Sequence, residues 1–234
     1  MKRFITYIIC SLCILNAYCQ KDITTFLGIP VDGYKNEMKQ KLREKGFEYY
    51  KDADGEHYEG EFNGREVILF LNTNNNKIWR IMLCDAQLSN EADIKIRFNN
   101  LCWQFENNGK YVFVEKERYT IPDDEDISYE MSVNNKRYDA YYFQDIDQEK
   151  IDTIAIRKQM QQKILEKYSQ EELDNPTEAQ AIDIDNYIRE EAINYALLTM
   201  RKKTVWFTIS QMQGMYYITM FYENGYNQAN GEDL

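Results

Sequence analysis

Residues 26–84 constrain the fold most strongly, because turn signals divide them into one helix and four short strand-like segments. Asp54-Gly55 and Asn63-Gly64 are typical of two-residue hairpin turns, and the polar run 73–76 supplies a third turn. This spacing predicts an antiparallel meander. Its four strands are Phe47–Lys51, Tyr58–Phe62, Glu66–Leu71 and Ile78–Cys84.

The predicted helix has a start signal and a stop signal. Asp32 is placed to cap a helix over residues 35–42. Gly46 can take the left-handed conformation that ends a helix, which lets Phe47 fold back onto the last turn in a Schellman stop. Residues that recur every four positions give the helix one apolar face: Tyr34, Met38 and Leu42.

The third and fourth strands are apolar on both faces. If Asn72 lies opposite Lys77, one face carries the pairs Phe70–Trp79 and Ile68–Ile81, and the other carries Val67–Met82 and Leu71–Ile78. Strands of this kind are usually central and covered on both sides. We therefore expect a second layer from later in the chain.

The N-terminus has the pattern of a secretory signal peptide. Lys2 and Arg3 precede an apolar run, and small residues end it at Ala17 and Cys19, which predicts cleavage before Gln20. The run is shorter than the roughly 20 apolar residues that span a membrane. A lipid anchor at Cys19 is the alternative. Residues 20–234 are then expected to form one exported domain, in the periplasm or outside the cell.

The charge balance bears on possible partners. The chain has 28 Lys and Arg against 39 Asp and Glu, a net charge of −11. Such an excess of negative charge repels phosphate backbones, so nucleic acid is not an expected partner. Solubility is the ordinary explanation of the charge.

Two cysteines remain after the predicted signal peptide. Cys84 and Cys102 either form a disulfide, as exported proteins often do, or stay as two buried thiols. The sequence has no metal-ligand spacing and one histidine, so no metal or other cofactor is expected.

The middle of the chain predicts a second helix followed by strands. Ser89 or Asn90 can cap a helix that runs to about Asn107, and a strand is predicted at Tyr111–Tyr119. We interpret Ile127–Val133 and Lys136–Phe143 as a hairpin with Tyr141 on its solvent-exposed face. The apolar stripe of the helix is Ile94, Phe98, Leu101, Cys102 and Phe105.

Residues 147–201 are rich in helix formers and are predicted to be a helical insertion. Ser169 and Glu172 form a capping-box pattern, and Pro176 suits a first helical turn. Packing within the domain is the expected role, with a partner-binding arm as the alternative. The predicted stripes are Ile151, Ile154, Leu165 and Tyr168, then Ala181, Ile184, Ile188, Ala192 and Tyr195.

The last two strands, Thr204–Ser210 and Met215–Tyr222, place aromatic residues on the face that should be exposed. If Ser210 pairs with Met215, that outer face carries Trp206, Tyr217 and Phe221 among threonines. These rings lie either beneath the inserted helices or on a flat platform for a protein or sugar. Together with Tyr141 they are the candidate binding residues.

No catalytic motif occurs. Residues 52–56 resemble a calcium loop, but His57 occupies the position where an EF-hand requires Gly. GxSxG, HExxH, P-loop and dinucleotide-binding patterns are absent. A carboxylate-dependent hydrolase of an envelope or dietary polymer remains as an alternative, since many acidic pairs are available.

Two resemblances follow from these residues. Residues 28–33, the helix to Leu42 and Lys45-Gly46-Phe47 resemble the helix-then-meander unit of β-lactamase-inhibitor-protein-like and outer-membrane-assembly-lipoprotein-like domains. The second helix with its predicted hairpin resembles a divergent second copy. The ending, 222–224 and 230–234 with Trp206-Phe207, resembles uncharacterised secreted proteins of gut Gram-negative bacteria.

The sequence thus predicts an α+β fold, a mostly antiparallel meander sheet with helices packed on it and a helical insertion before the last two strands. The expected function is a non-catalytic binding module of the periplasm or cell envelope with a protein or glycan ligand. A structural envelope component that acts by oligomerisation is a third hypothesis. The sequence does not specify an oligomeric state.

Overall fold

The computed structural model describes residues 22–53, 55–113, 119–147, 153–229 and 231. It confirms an α+β fold built on a mostly antiparallel sheet. The predicted signal peptide and Asp54 lie outside the described residues. The helices are α1 (Lys35–Glu44), α2 (Glu91–Glu106), α3 (Ile127–Val133), α4 (Thr153–Lys167), α5 (Gln170–Asp174) and α6 (Glu178–Arg201). The strands are β1 (Thr25–Phe26), β2 (Ile29–Pro30), β3 (Glu48–Asp52), β4 (Gly55–Phe62), β5 (Arg65–Asn74), β6 (Lys77–Asp85), β7 (Tyr111–Val112), β8 (Asp139–Gln144), β9 (Thr204–Met212) and β10 (Met215–Glu223).

Eight strands form one sheet in the order β3-β4-β5-β6-β10-β9-β8-β7, and β1 pairs with β2 in a small separate hairpin. All neighbouring pairs are antiparallel. The N-terminal meander therefore meets the C-terminal hairpin where β6 pairs with β10. We call the face of this sheet that packs against α1 and α2 the inner face, and the opposite face the outer face.

Helix α1 ends as predicted but begins differently. The Phe47 amide donates to the Leu42 carbonyl at 3.1 Å and the Gly46 amide to the Arg43 carbonyl at 3.0 Å, which is the Schellman pattern. The cap residue is Tyr34, without a side-chain cap, rather than Asp32. The Asp32 carboxylate is occupied elsewhere, because it accepts a hydrogen bond from Asn227 at 2.7 Å.

Helix α2 confirms the prediction closely. The Asn90 side chain accepts from the Asp93 amide at 2.9 Å, and the five residues of the predicted apolar stripe are all buried. Arg97 on the same helix donates through Nε to the buried Asp85 carboxylate of β6 at 2.6 Å. Separating a buried ion pair is strongly destabilising, because each charge is then left buried without a partner. This pair therefore holds α2 to the middle of the sheet.

The predicted register of β5 and β6 is wrong. Thr73 pairs with Ile78 but Asn72 pairs with Arg80, so Trp79 is an extra residue in a β-bulge. Beyond the bulge Phe70 pairs with Met82, not with Trp79, and Leu71 pairs with Ile81. Because a shift of this kind changes which side chains share a face, Phe70 and Met82 lie together on the outer face.

The predicted hairpin at Ile127–Val133 is also wrong, because this segment is helix α3. The Asp126 side chain caps it by accepting from the Tyr129 amide at 2.8 Å. Ile127 and Met131 are four residues apart, a spacing that fits both the alternation of a strand and one face of a helix. Both pack on the core. The second strand of the predicted hairpin is present as β8. Of the predicted Tyr111–Tyr119 strand, β7 covers only the first two residues, and residues 114–118 lie outside the described residues.

The helical insertion is confirmed, and so is the capping box of Ser169 and Glu172. Thr177, not Pro176, begins α6 as its cap residue. The predicted stripes are mostly wrong. In the first, Tyr168 is buried, but Ile154 and Leu165 are exposed and Ile151 lies outside the described residues. In the second, every member is exposed or half-buried. Helix α4 contacts α6 through the Lys163–Glu191 ion pair, and Tyr168, which directly follows α4, donates a hydrogen bond to Asp183 of α6.

The last hairpin has the predicted faces with a register shifted by two residues. Met212 pairs with Met215 and Ser210 with Tyr217, since the turn is the two-residue pair Gln213-Gly214. A shift by two keeps every side chain on its face. Val205, Phe207, Ile209, Tyr216, Ile218 and Met220 are accordingly buried on the inner face.

Gly60 provides a test of the packing between β4 and the segment after α1. A Cβ atom at Gly60 would lie 2.7 Å from Cδ1 of the buried Phe47 ring, so Gly60→Ala must displace the ring. We expect the free energy of unfolding to fall by about 1–3 kcal/mol, the usual effect of overpacking. Urea unfolding measures it. Gly109→Ala is the matched control, because a Cβ there meets nothing within 4 Å, and equal effects of both changes would contradict the prediction.

Candidate functional site

A continuous row of aromatic and apolar side chains crosses the outer face from β3 to β8. Each member is the cross-strand neighbour of the next, and the one step without a direct pairing, His57 to Phe70, has ring centroids 6.1 Å apart. We call this set the aromatic row. With six strand spacings of about 4.8 Å it is about 29 Å long. Its members are Tyr50, His57, Phe70, Met82, Phe221, Trp206 and Tyr141.

The β10 to β8 half of the aromatic row is a stack of parallel rings. Trp206 and Phe221 have centroids 4.0 Å apart at an interplanar angle of 17°, and Tyr141 and Trp206 have centroids 5.4 Å apart at the same angle. The Arg80 guanidinium closes the stack, with Cζ 5.0 Å from the Phe221 centroid and 4.2 Å from the Trp79 centroid. Cation–π contacts of this kind are attractive.

Glu223 fixes the geometry of the stack. Its Oε1 accepts a hydrogen bond from Trp206 Nε1 at 2.8 Å and one from Arg80 Nη2 at 2.5 Å. The side chains of Arg80 and Glu223 are largely buried, and a charge-assisted bond is stronger where water is excluded. One carboxylate therefore orients both the indole and the guanidinium.

The stacking direction decides which part of each ring a ligand meets. Neighbouring strands lie about 4.8 Å apart in the plane of the sheet, close to the 4.0 and 5.4 Å between the stacked centroids. Rings stacked face to face along that direction must stand upright on the sheet. The interior of the stack thus presents ring edges to the outside, while the ring faces cover one another.

The structure brings together three of the four predicted binding residues. Tyr141, Trp206 and Phe221 are consecutive in the aromatic row, whereas Tyr217 lies four residues from Phe221 along β10 and pairs with Ser210. Tyr141 is 37% exposed, Trp206 and Tyr217 are half-buried, and Phe221 is buried at 8%. Tyr50, His57, Phe70 and Met82 were missed. The bulge shifts the register of β5 and β6, and so hides the pairing of Phe70 with Met82 from strict alternation.

The inserted helices contact the sheet at β8, beside the end of the aromatic row. Every residue of α5 and α6 is described, and none of them is buried. The described residues of α4 are likewise exposed or half-buried. Tyr168, between α4 and α5, is buried at 8%, but within the described residues the helices of the insertion themselves bury nothing.

The β3–β4 end of the aromatic row is surrounded by acidic groups. Tyr50 stacks on His57 with centroids 5.6 Å apart, and its hydroxyl donates to Glu48 at 2.9 Å. His57 Nε2 lies 3.4 Å from a Glu59 oxygen and Nδ1 lies 3.7 Å from an Asp52 oxygen. This end of the row is therefore polar and negatively charged.

Cys84 and Cys102, the two cysteines within the described residues, are free thiols on opposite faces of the sheet. Cys84 is half-buried on the outer face, with Sγ 3.8 Å from the Thr219 hydroxyl oxygen. Cys102 is buried on α2 against the inner face. Burial raises the pKa of both thiols, and that of Cys102 to about 12.

A cleft of about 880 Å³ lies at one end of the inner face, between α2 and the β1–β2 hairpin. Its aromatic lining comes from Phe62, Phe105, Tyr111 and Tyr222. Of the acids that line it, Asp22 is held by Lys203 at 2.8 Å in a buried ion pair. The Gln144 amide, also in the lining, is occupied by the Thr25 backbone at 2.7 Å through both its oxygen and its nitrogen.

The carboxyl groups that the structure perturbs are ion-paired or hydrogen-bonded rather than protonated. Hydrogen bonds from Lys35, Tyr49 and Lys39 lower the pKa of Glu56 to about 2. The pKa of Glu125 is lowered by Lys136, and that of Glu172 by the backbone amide of Ser169. A general acid needs the opposite shift. Within the described residues, no group of three potential ligands is placed to hold a metal ion.

Comparison with known protein families, with curated proteins and with solved structures finds no match. Within the part of the chain that is described, no helix is long and apolar enough to cross a membrane. The fold and its outer face define an α+β protein with a preorganised aromatic row. Its function has to be argued from these side chains alone.

The environments of the two thiols predict different reactivities. Cys84 is half-buried and Cys102 is buried with the higher pKa, so iodoacetamide should modify Cys84 first. Mass spectrometry of folded protein of residues 20–234 at pH 8 should show one slow addition, assigned to Cys84 by Cys84→Ser. In denaturant both sites should react. Faster labelling of Cys102 in the folded protein would contradict this placement.

Glu56 predicts acid sensitivity of the contact between α1 and β4. Its folded pKa, about 2, lies below the ordinary value of about 4.3, so its stabilising contribution is complete above pH 5 and disappears as the pH falls towards 2. Glu56→Gln should therefore be less stable than the wild type at pH 7 and equally stable near pH 2, in urea unfolding. Glu61→Gln, on the same strand but exposed, is the control. A difference that persists unchanged at pH 2 would refute the assignment.

Proposed function

We propose that this protein is an exported, non-catalytic binding module of the periplasm or cell envelope, and that it contacts a protein or glycan ligand through the outer face. The observation that carries the proposal is the aromatic row, which joins seven strands in one continuous patch. Export rests on the N-terminal sequence pattern at residues 1–19. The resemblance to inhibitor-like and assembly-lipoprotein-like units agrees with a binding role.

The aromatic row has the properties of a binding surface. Large contiguous apolar patches are rare on monomeric soluble proteins and commonly mark interaction sites. Aromatic residues and arginine dominate the energetics of many interfaces. The hydrogen bonds of Glu223 also hold Trp206 and Arg80 in place before a ligand arrives, which reduces the entropy lost on binding.

The hydrolase alternative has no comparable support. It requires two acids in a cleft, one of them with a raised pKa. Four acids line the described cleft, and one of them, Asp22, is held in an ion pair with Lys203; the others are Glu61, Asp145 and Asp147. The carboxyl groups whose pKa values are shifted, Glu56, Glu125 and Glu172, lie outside the cleft, and their pKa values are lowered.

Loss of the stack should weaken ligand binding without unfolding the protein. Tagged protein of residues 20–234 would be incubated with envelope extract, and recovered molecules quantified by mass spectrometry, beside a glycan array. We expect the double variant Tyr141→Ala with Trp206→Ala to reduce recovery of any specific ligand at least about tenfold, as for hot-spot residues.

The control for this experiment is Tyr129→Ala, on α3, because Tyr129 is 53% exposed and lies outside the aromatic row. Thermal unfolding followed by circular dichroism shows that each variant is folded. Ligands recovered equally by the wild type and the folded double variant would show that the outer face is not the binding surface.

A further inference from the structure

The rows that flank the aromatic row carry an excess of negative charge. One flanking row is Glu48, Glu59, Ile68, Cys84, Thr219, Thr208 and Asp139, and the other includes Asp52, Asn72, Arg80, Glu223, Thr204 and Phe143. Within these rows, which the structure describes, five carboxylates stand against one guanidinium. That guanidinium, on Arg80, is already paired with Glu223 at 2.5 Å.

The charge is concentrated at one end of the aromatic row. Glu48, Asp52 and Glu59 are exposed and gather around Tyr50 and His57. At the opposite end Asp139 is compensated, because Arg137 Nε lies 3.2 Å from its carboxylate. The β3–β4 end therefore attracts positive charge, while the β10–β8 end offers ring edges and the exposed Tyr141.

Resting on the proposed function, we infer that the ligand of the outer face is a polypeptide segment that carries apolar side chains together with Lys or Arg. The apolar side chains lie along the aromatic row, and the basic groups meet Glu48, Asp52 and Glu59. Charge complementarity of this type directs encounter and fixes orientation. The whole chain, at a net charge of −11, reinforces the attraction at long range.

The same geometry disfavours the other occupants. A sugar ring stacks on an aromatic face, whereas Trp206 and Phe221 cover each other's faces and present edges. A second copy would bring an equally acidic face against the first, and opposed like charges are destabilising. Phosphate backbones and anionic lipid surfaces meet the same repulsion.

Designed peptides test the charge requirement directly. The probe is an 18-residue amphipathic peptide of Leu and Lys, about 27 Å long as a helix and so matched to the aromatic row. The comparison peptide has Glu in place of every Lys. Fluorescence anisotropy should show saturable binding of the Leu/Lys peptide that weakens with added salt, and no binding of the Leu/Glu peptide.

Matched charge variants then locate the site. The outer-face triple variant is Glu48→Gln, Asp52→Asn and Glu59→Gln. The control triple is Glu171→Gln, Asp174→Asn and Glu178→Gln, which removes the same charge from exposed positions of the insertion. We expect the outer-face triple to weaken peptide binding about tenfold and the control by less than about twofold.

The outcomes separate this inference from the proposed function. Equal weakening by both triple variants, or equal binding of the Leu/Glu peptide, overturns the inference that the acidic end selects basic segments. If Tyr141→Ala with Trp206→Ala weakens peptide binding but the outer-face triple does not, the outer face still binds polypeptides and only the charge assignment fails. If neither variant changes binding, both proposals fail.

Discussion

The pairing of β6 with β10 is the constraint on which the rest of the structure depends, because it joins the two ends of the chain into one sheet. The N-terminal segment is fixed at the same junction. The Thr24 hydroxyl donates to the Glu223 carbonyl, and the buried Asn224 side chain donates to the Val31 carbonyl at 2.8 Å. The sheet therefore cannot be completed before β10 is in place. Contacts this distant in sequence are the ones that form slowly in folding.

The bulge at Trp79 adapts β6 to two different neighbours. Ile78 and Ile81 are both buried, although they are three residues apart and strict alternation would place them on opposite faces. The extra residue restores Ile81 to the core and turns Arg80 to the outer face beside Glu223. The same local irregularity thus completes the inner core and positions the cation that closes the ring stack.

A feature could be predicted from the sequence when residues close together in the chain specify it. The Schellman stop at Gly46 and the stripe of α2 were readable because a few neighbouring residues specify them. At Ile127–Val133 the apolar residues fit both the alternation of a strand and the periodicity of a helix. The Asp126 cap belongs to the helix, but it could not be distinguished from an ordinary loop residue before the packing was known. Trp206 and Phe221 could be found by alternation within the last hairpin, and Tyr141 by alternation along its own strand. Their union with Phe70 and Met82 depends on the β6–β10 pairing, which no local pattern contains.

Glu223 links the architecture of the sheet to the candidate binding surface. Its backbone carbonyl receives the Thr24 hydroxyl at the junction, while its carboxylate holds Trp206 and Arg80. The carboxylate cannot move to another rotamer without breaking its two partly buried hydrogen bonds, those from Trp206 and Arg80. Glu223 consequently ties Trp206 and Arg80, and with them the ring stack, to the end of strand β10. A surface ordered in this way by the fold itself loses little entropy when a ligand covers it, and that is the physical reason to place binding there rather than on the insertion, where α5 and α6 bury no residue.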